Sequence, residues 1–268
     1  MKLSTFTEDL NTLFLALFLS LTLTACVHRL PSALRHSDPS QVLARTASVE
    51  ARIQSLKEEA RLTVHSPDAK GTTTLFLAVG RPARLHVEVL DFFGKPSLVL
   101  VSNGSEFGLY EAQAGVYYQG PATEANVSRF LPIRLPPESL VALLLGEAPR
   151  LSGAAAAVTF DASHNSYVVD LTREEARQTL TVSADDFRVQ VSDGLKAQGY
   201  RAEFSEFTRG SALFPKRLRL QAPSASTTLD LRHGSYAELN VPLDPLLFEP
   251  KAPANVRVVL VDGEGKPR

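Results

Sequence analysis

The chain contains one cysteine, Cys26, and two small residues, Thr24 and Ala25, stand directly before it. Small neighbours give a peptidase access to the bond before this residue. Because no second cysteine is present, an intramolecular disulfide is excluded, and stability must come from a hydrophobic core. From these residues alone, Cys26 is either a processing site or a lone buried thiol.

An apolar run precedes this cysteine, since Leu13 to Ala25 reads LFLALFLSLTLTA. Its length fits the apolar region of a signal peptide and is too short to cross a bilayer as a helix. The sequence Leu23-Thr24-Ala25-Cys26 resembles the lipobox of bacterial lipoproteins, and this resemblance implies cleavage before Cys26 and attachment of a diacylglycerol group to its thiol. We therefore predict a signal peptide over residues 1–25, a lipidated tether over 26–37, and no cofactor besides the covalent lipid on Cys26.

Charge is balanced along the chain, which carries 28 basic and 29 acidic residues. Without the predicted signal peptide, which includes Lys2, Glu8 and Asp9, the remaining 243 residues hold 27 of each sign. A neutral chain has no general attraction for nucleic acid, so no nucleic-acid partner is expected. The two acidic residues depart from the positive start of a signal peptide, and a start further downstream is an alternative.

No motif for catalysis or metal binding stands out. Residues 104–108 read GSEFG, in which the serine is misplaced for a nucleophile elbow. The acidic pairs Asp185-Asp186 and Glu174-Glu175 lie in polar connections, where solvated turn carboxylates are common. The histidines are scattered without metal-ligand spacing, at His28, His36, His65, His86, His164 and His233. We predict that the protein is not an enzyme and has no metal site.

Two helices are predicted among many strands. Asp38 and Pro39 supply an N-cap and a first helical residue. One helix face would then hold Val42, Val49, Ile53, Leu56 and Ala60. A second helix begins at Pro137 and ends at the C-terminal cap Gly146.

The rest of the chain alternates between apolar and polar residues with turn signals between the segments, a pattern typical of an antiparallel meander. Leu85, Val87 and Val89 form one such apolar face. We predict about ten to twelve strands in one domain over 38–248. A tail follows over 249–268, with one loosely paired segment at Val256 to Val261.

The order of these features resembles the LolA/LolB-like superfamily of bacterial lipoproteins. The matching pieces run from about Val42 to Asn240. They include the lipidated cysteine, the first helix, the turn Asp91-Phe92-Phe93-Gly94-Lys95-Pro96, the segment Leu135-Pro136-Pro137-Glu138-Ser139-Leu140 and the strand start Phe214-Pro215-Lys216-Arg217-Leu218. The missing tryptophans and the extra segment after Asn240 depart from the receptor members of the superfamily.

The resemblance implies an α+β fold, in which a curved, incomplete antiparallel β-barrel is closed by helices on its open side. It also implies an apolar cavity that takes lipid acyl chains such as palmitoyl. The predicted lining is Leu75, Leu77, Leu85, Val87, Val89, Leu98, Leu100, Phe107 and Leu109, facing Leu140, Leu143 and Leu144. An ordinary packed core is the alternative, because alternation shows which face is apolar and not whether it is hollow.

A turn between two strands carries a further expectation. In the receptor members of the superfamily, the matching turn presents an exposed apolar residue that touches the membrane. Phe92 and Phe93 are adjacent here, and neighbours in a strand point to opposite faces, so at least one should lie outside the core. We predict a membrane contact through Phe92 and Phe93, with Lys95 near lipid phosphates. Capping of the barrel end is the alternative.

The leading hypothesis is a membrane-anchored lipoprotein that binds acyl chains in a half-barrel cavity, for lipoprotein or lipid transfer or outer-membrane localisation. Its expected partners are the membrane, lipid acyl chains or lipoprotein cargo, and a periplasmic carrier protein. Val27 follows the cysteine, and by resemblance to enteric lipoproteins a non-aspartate there favours the outer membrane, facing the periplasm, over the inner membrane. The alternative is a structural or assembly lipoprotein that uses the same fold as a protein-interaction surface.

Overall fold

The computed structural model describes residues 36–129, 133–210 and 212–268. All of them belong to one compact unit. The predicted signal peptide, Cys26 and nearly all of the predicted tether lie outside the described residues. No helix in the described part of the chain is long and apolar enough to span a membrane.

Strands dominate the described residues. The three α-helices are α1 (Pro39–Glu50), α2 (Glu124–Val127) and α3 (Pro137–Leu144). The strands of the first half are β1 (Ser55–His65), β2 (Lys70–Gly80), β3 (Arg84–Leu90), β4 (Pro96–Ser102), β5 (Glu106–Glu111) and β6 (Val116–Pro121). Those of the second half are β7 (Ala155–Asp161), β8 (Ser166–Arg173), β9 (Ala176–Ser183), β10 (Val189–Asp193), β11 (Arg201–Phe207), β12 (Pro215–Ala222), β13 (Thr227–Arg232), β14 (Glu238–Leu239) and β15 (Arg257–Leu260).

All the strands join one long, curved, open sheet in the order β15-β6-β5-β4-β3-β2-β1-β13-β12-β11-β10-β9-β8-β7, with β14 beside β1. Neighbours are antiparallel except at one edge, where β15 runs parallel to β6. The described residues thus form fifteen strands, so the prediction of ten to twelve was too low, and the sheet is not purely antiparallel. Two of the strands, β14 and β15, are too short to show a period of two.

The register of β1 brings the two ends of the meander together. Residues 55–65 of β1 pair with β2 on one side, and its second half pairs with β13 on the other. Leu62 therefore lies opposite Leu231, a residue 169 positions away in the chain. This pairing joins the inner faces of β1, β2 and β3 to those of β12 and β13.

Helix α1 begins as predicted but is shorter than its apolar pattern indicated. The Asp38 side chain accepts a hydrogen bond from the Ser40 amide at 2.9 Å, and Pro39 is the first helical residue. The helix ends at Glu50, so Leu56 and Ala60 belong to β1, where they face inward. Spacings of three and four residues fitted a helix, and the alternation from position 56 onward fitted a strand equally well.

Helix α3 has the predicted start at Pro137 and a left-handed Gly146 after its end, with φ of +80°. A side chain at position 146 would overlap the ring of Pro215, so glycine also permits a close approach to β12. The helix packs against β2 and β3. Leu140, Leu143 and Leu144 are all buried.

The predicted tail 249–268 adds β15 to the edge of the sheet. Before it, a short 3-10 helix over Pro245–Phe248 packs on β3 and β4 and buries the Phe248 ring. After it, the chain returns so that the Arg268 amide donates to the Leu260 carbonyl at 2.9 Å.

Candidate functional site

An apolar cavity of about 40 Å³ lies between the inner face of the sheet and α3. Nine leucines and one valine line it: Leu62, Leu75, Leu77, Val87, Leu140, Leu144, Leu218, Leu220, Leu229 and Leu231. They come from β1, β2, β3, β12, β13 and α3. The cavity thus combines side chains from the beginning of the strand series, β1 to β3, with side chains from β12 and β13 near its end.

The structure gathers only part of the predicted lining at this cavity. Leu75, Leu77, Val87, Leu140 and Leu144 line it. Of the others, Val89 and Leu98 are half-buried, whereas Leu85, Leu100, Phe107, Leu109 and Leu143 are fully buried elsewhere in the core.

The missed lining residues are Leu62 on β1 and the four leucines of β12 and β13. Leu218 and Leu220 alternate on β12, as do Leu229 and Leu231 on β13, so their apolar faces were visible in the sequence. Their place at the cavity depends on the pairing of β1 with β13, and periodicity carries no information about distant partners.

The cavity is small for a ligand site. Pockets for small molecules usually measure about 300–1,000 Å³, and this one measures about 40 Å³. Its leucine and valine lining offers a water molecule no hydrogen-bond partner. An acyl chain would fit only if the lining moved outward, and α3, a helix of eight residues, supplies the part of the lining that does not belong to the sheet.

Charged groups fasten α1 at one end of the sheet. The Glu50 carboxylate is buried, accepts a hydrogen bond from the Ala148 amide at 3.2 Å and forms an ion pair with Arg150. Burial raises the pKa of Glu50 to about 7, against the opposing effect of Arg150. Nearby, Arg81 pairs with Glu147. The end of α1, the β2–β3 turn and the α3–β7 connection are thereby linked.

The β3–β4 turn exposes two aromatic rings. The Phe92 side chain is 96% exposed and Phe93 is 82% exposed, with the ring centroids 5.5 Å apart in an edge-to-face arrangement. The Asp91 carboxylate accepts hydrogen bonds from the Phe93 and Lys95 amides, both at 2.8 Å, and Gly94 has φ of +75°. A folded turn therefore holds both rings in solvent, with Lys95 exposed beside them.

The aromatic turn and the charged cluster lie at opposite ends of the strands. Ser55 of β1 pairs with Gly80 of β2, next to Arg81 and the end of α1, whereas His65 pairs with Lys70 at the other end. β3 runs antiparallel to β2, so the turn after Leu90 lies at the His65 end. A strand of seven residues separates the two ends by roughly 23 Å.

In the part of the chain that the structure describes, no group of three or more histidine, cysteine, aspartate or glutamate residues could hold a metal ion. Both acidic pairs lie in connections between strands. Glu174 and Glu175 join β8 to β9, and Asp185 and Asp186 join β9 to β10. Asp186 forms an ion pair with Arg188 at 3.0 Å.

No protein-family model matches the sequence, and a search of curated proteins finds no match. Solved structures do match. A LolA superfamily protein from Nitrosomonas europaea aligns with a TM-score of 0.53 at 11% identity, over 80% of this chain and 98% of its own.

Two further structures support the same fold. An outer membrane lipoprotein-sorting protein domain from Vibrio parahaemolyticus aligns with a TM-score of 0.53 at 10% identity, over 79% of this chain and 97% of its own. A DUF1329 family protein from Desulfovibrio piger gives 0.52 at 11% identity, over 80% and 98%. The chain therefore has the LolA-superfamily fold, as the resemblance implied.

Proposed function

We propose that this protein is a lipid-anchored lipoprotein of the bacterial cell envelope. It binds lipid acyl chains in the apolar interior of its sheet and acts in lipoprotein or lipid transfer. The observation that carries the proposal is the cavity lined only by leucine and valine, between an open sheet and a short helix. Burial of each ligand methylene contributes about 0.8 kcal/mol, so an acyl chain supplies enough energy to bind without any polar contact.

Reversible binding follows from the small size of the cavity. An entering chain displaces α3, so the Leu140 and Leu144 side chains exchange their contacts with the sheet for contacts with the ligand. The two sets of contacts are chemically alike, and the net gain is therefore smaller than the burial energy of the ligand alone. Such a site can both accept and release a lipid.

The Phe92–Phe93 turn serves as a second membrane contact in this proposal. Two exposed rings partition favourably into the lipid interface, and Lys95 adds attraction to phosphates. The permanent anchor is the lipid on Cys26. The lipoprotein-sorting protein among the structural neighbours supports a place in the outer membrane facing the periplasm, with cargo supplied by a periplasmic carrier protein.

One observation favours a second candidate function. A cavity of about 40 Å³ is also what an ordinary packed core leaves between imperfectly fitted leucines. Under that alternative, the protein is a structural or assembly lipoprotein whose surface binds other proteins and whose interior takes no lipid. The two candidates differ in whether a neutral apolar probe enters the protein.

The test uses the mature chain with Cys26→Ser and the neutral fluorescent probe N-phenyl-1-naphthylamine. We expect probe binding and its displacement by acyl lipids. Leu229→Phe fills the cavity and should weaken probe binding at least about tenfold, which is about 1.4 kcal/mol. Leu180→Phe is the matched control, because Leu180 is equally buried but does not line the cavity. Absence of probe binding, or equal loss in both variants, would favour the second candidate.

A further inference from the structure

A buried glutamate–histidine pair lies on the inner face of the sheet. The Glu58 carboxylate contacts the His233 Nδ1 at 2.5 Å, and its other oxygen accepts a hydrogen bond from the Gly234 amide at 2.9 Å. Both side chains are at most 1% exposed. A side chain at position 234 would overlap the Glu59 carbonyl, so glycine is needed for this amide to come close. The carboxylate is therefore well satisfied.

Only one of the two ring nitrogens of His233 has a hydrogen-bond partner. Its Nε2 is buried and has no hydrogen-bond partner. Its ring packs edge-on against Phe214, with the centroids 4.6 Å apart. Buried polar atoms almost always have a partner, and one without a partner is costly to a fold. On the inner face of the sheet, beside residues of the cavity lining, this nitrogen is a position that a polar atom of a ligand can fill.

The pair does not line the apolar cavity itself but adjoins residues that do. Glu58 lies directly opposite Leu77, and Ala60 opposite Leu75, and both leucines line the cavity. His233 comes directly after the end of β13 and two positions after the lining residue Leu231, and both side chains are buried. Ala60 has the smallest of the inward-facing side chains on β1, and it lies next to the pairing of Arg61 with Arg232. A ligand that widens the cavity toward Ala60 would therefore reach His233.

We propose that the Glu58–His233 pair is the polar end of the acyl-binding site and favours acyl lipids with an uncharged hydroxyl head, such as monoacylglycerols. This inference rests on the proposed function. A carboxylate only accepts, so Nδ1 carries the hydrogen that faces Glu58. Nε2 then accepts from a hydroxyl if the ring is neutral or donates to it if the ring is charged, and a hydroxyl satisfies either form.

A fatty-acid carboxylate fits this end poorly. It would bring a second negative charge into a buried position that already holds Glu58, and desolvation of an extra buried charge is expensive. The basic residues on the neighbouring stretch of β1, Lys57 and Arg61, lie on the opposite face of the strand from Glu58. The pair therefore discriminates by head-group charge, while the leucines bind any chain.

The test compares 1-monooleoylglycerol with oleate as competitors for N-phenyl-1-naphthylamine on the mature chain with Cys26→Ser. We expect monooleoylglycerol to displace the probe at about tenfold lower concentration, the effect of one hydrogen bond. The double variant Glu58→Leu/His233→Phe removes both partners, so no lone charge is left buried. It should reduce the preference to about twofold or less. Tyr200→Phe is the control, since its unpartnered hydroxyl lies at the other end of the strands.

The outcomes separate the two proposals. Displacement by both lipids without preference, or a preference that survives in the double variant, overturns the role of the pair and leaves acyl binding intact. No displacement by either lipid overturns both. In wild-type protein with ¹⁵N-labelled histidine, the His233 Nε2 resonance should shift with monooleoylglycerol. An unchanged resonance would mean that Nε2 meets an ordered water only, which contradicts the proposal even if the double variant does not fold.

Discussion

Apolar side chains are buried around the cavity but exposed to water at the β3–β4 turn. Around the cavity, leucine and valine side chains from five strands and α3 are withdrawn from water, and Leu77 is 1% exposed. At the turn, Phe92 is 96% exposed although a phenylalanine is as costly to hydrate as a leucine. Hydrogen bonds to Asp91 hold the turn in that exposed form. The buried residues around the cavity maintain the fold, so changes there should reduce stability. The exposed rings of the turn are free for a contact with another surface.

The largest effect is expected in the core. Leu77→Ala should lower the free energy of unfolding by about 2–5 kcal/mol, because it removes buried contacts and enlarges a cavity. Phe92→Ala should change it by less than about 0.5 kcal/mol, since the ring touches little of the fold. Urea unfolding of both variants measures the difference. Equal destabilisation would mean that the turn is packed in solution.

The end of the sheet opposite the turn should be sensitive to pH. Burial holds the pKa of Glu50 at about 7, above its ordinary value of 4.5, so the folded state takes up a proton between these values. This contribution is complete below pH 4.5 and is lost as the pH rises through 7, at a cost of about 3 kcal/mol. Urea unfolding at pH 5 and pH 8 should show this loss for the wild type, and Glu50→Gln should remove it. An unchanged pH dependence in the variant contradicts the assignment.

The smallest effect on stability, with a distinct effect on membranes, is expected at the turn. Phe92→Glu/Phe93→Glu should leave unfolding nearly unchanged and reduce binding to vesicles of phosphatidylethanolamine and phosphatidylglycerol. We expect a loss of about tenfold or more, since two rings leave the interface. Tyr236→Glu is the control, because Tyr236 is 94% exposed but follows β13 at the opposite end of the strands. Equal losses in co-sedimentation would indicate nonspecific charge repulsion.

Local features of this fold could be predicted from the sequence. The start and the C-terminal cap of α3 follow from Pro137 and Gly146, whose backbone preferences act within a few residues. Adjacent phenylalanines beside Gly94 indicated that at least one ring would be exposed, and the structure exposes both. The apolar faces of the long strands were visible for the same reason, because alternation is a local property.

Long-range pairing could not be predicted in this way. The cavity depends on the contact between β1 and β13, and the Glu58–His233 pair joins residues 175 positions apart. A period of two identifies the inner face of a strand but not its neighbour, so Leu229 and Leu231 had no assigned partner. Their place at the cavity follows only from the pairing of β13 with β1 inside the open sheet.

Lipid carried by the purified protein tests acyl binding most directly. The mature chain with Cys26→Ser would be isolated without detergent from the periplasm of a bacterial host, and its bound lipids identified by native mass spectrometry. We predict an acyl lipid bound to the wild type and to Leu180→Phe, and little or none on Leu229→Phe. A wild-type protein free of lipid, or equal lipid on all three proteins, would contradict binding in this cavity.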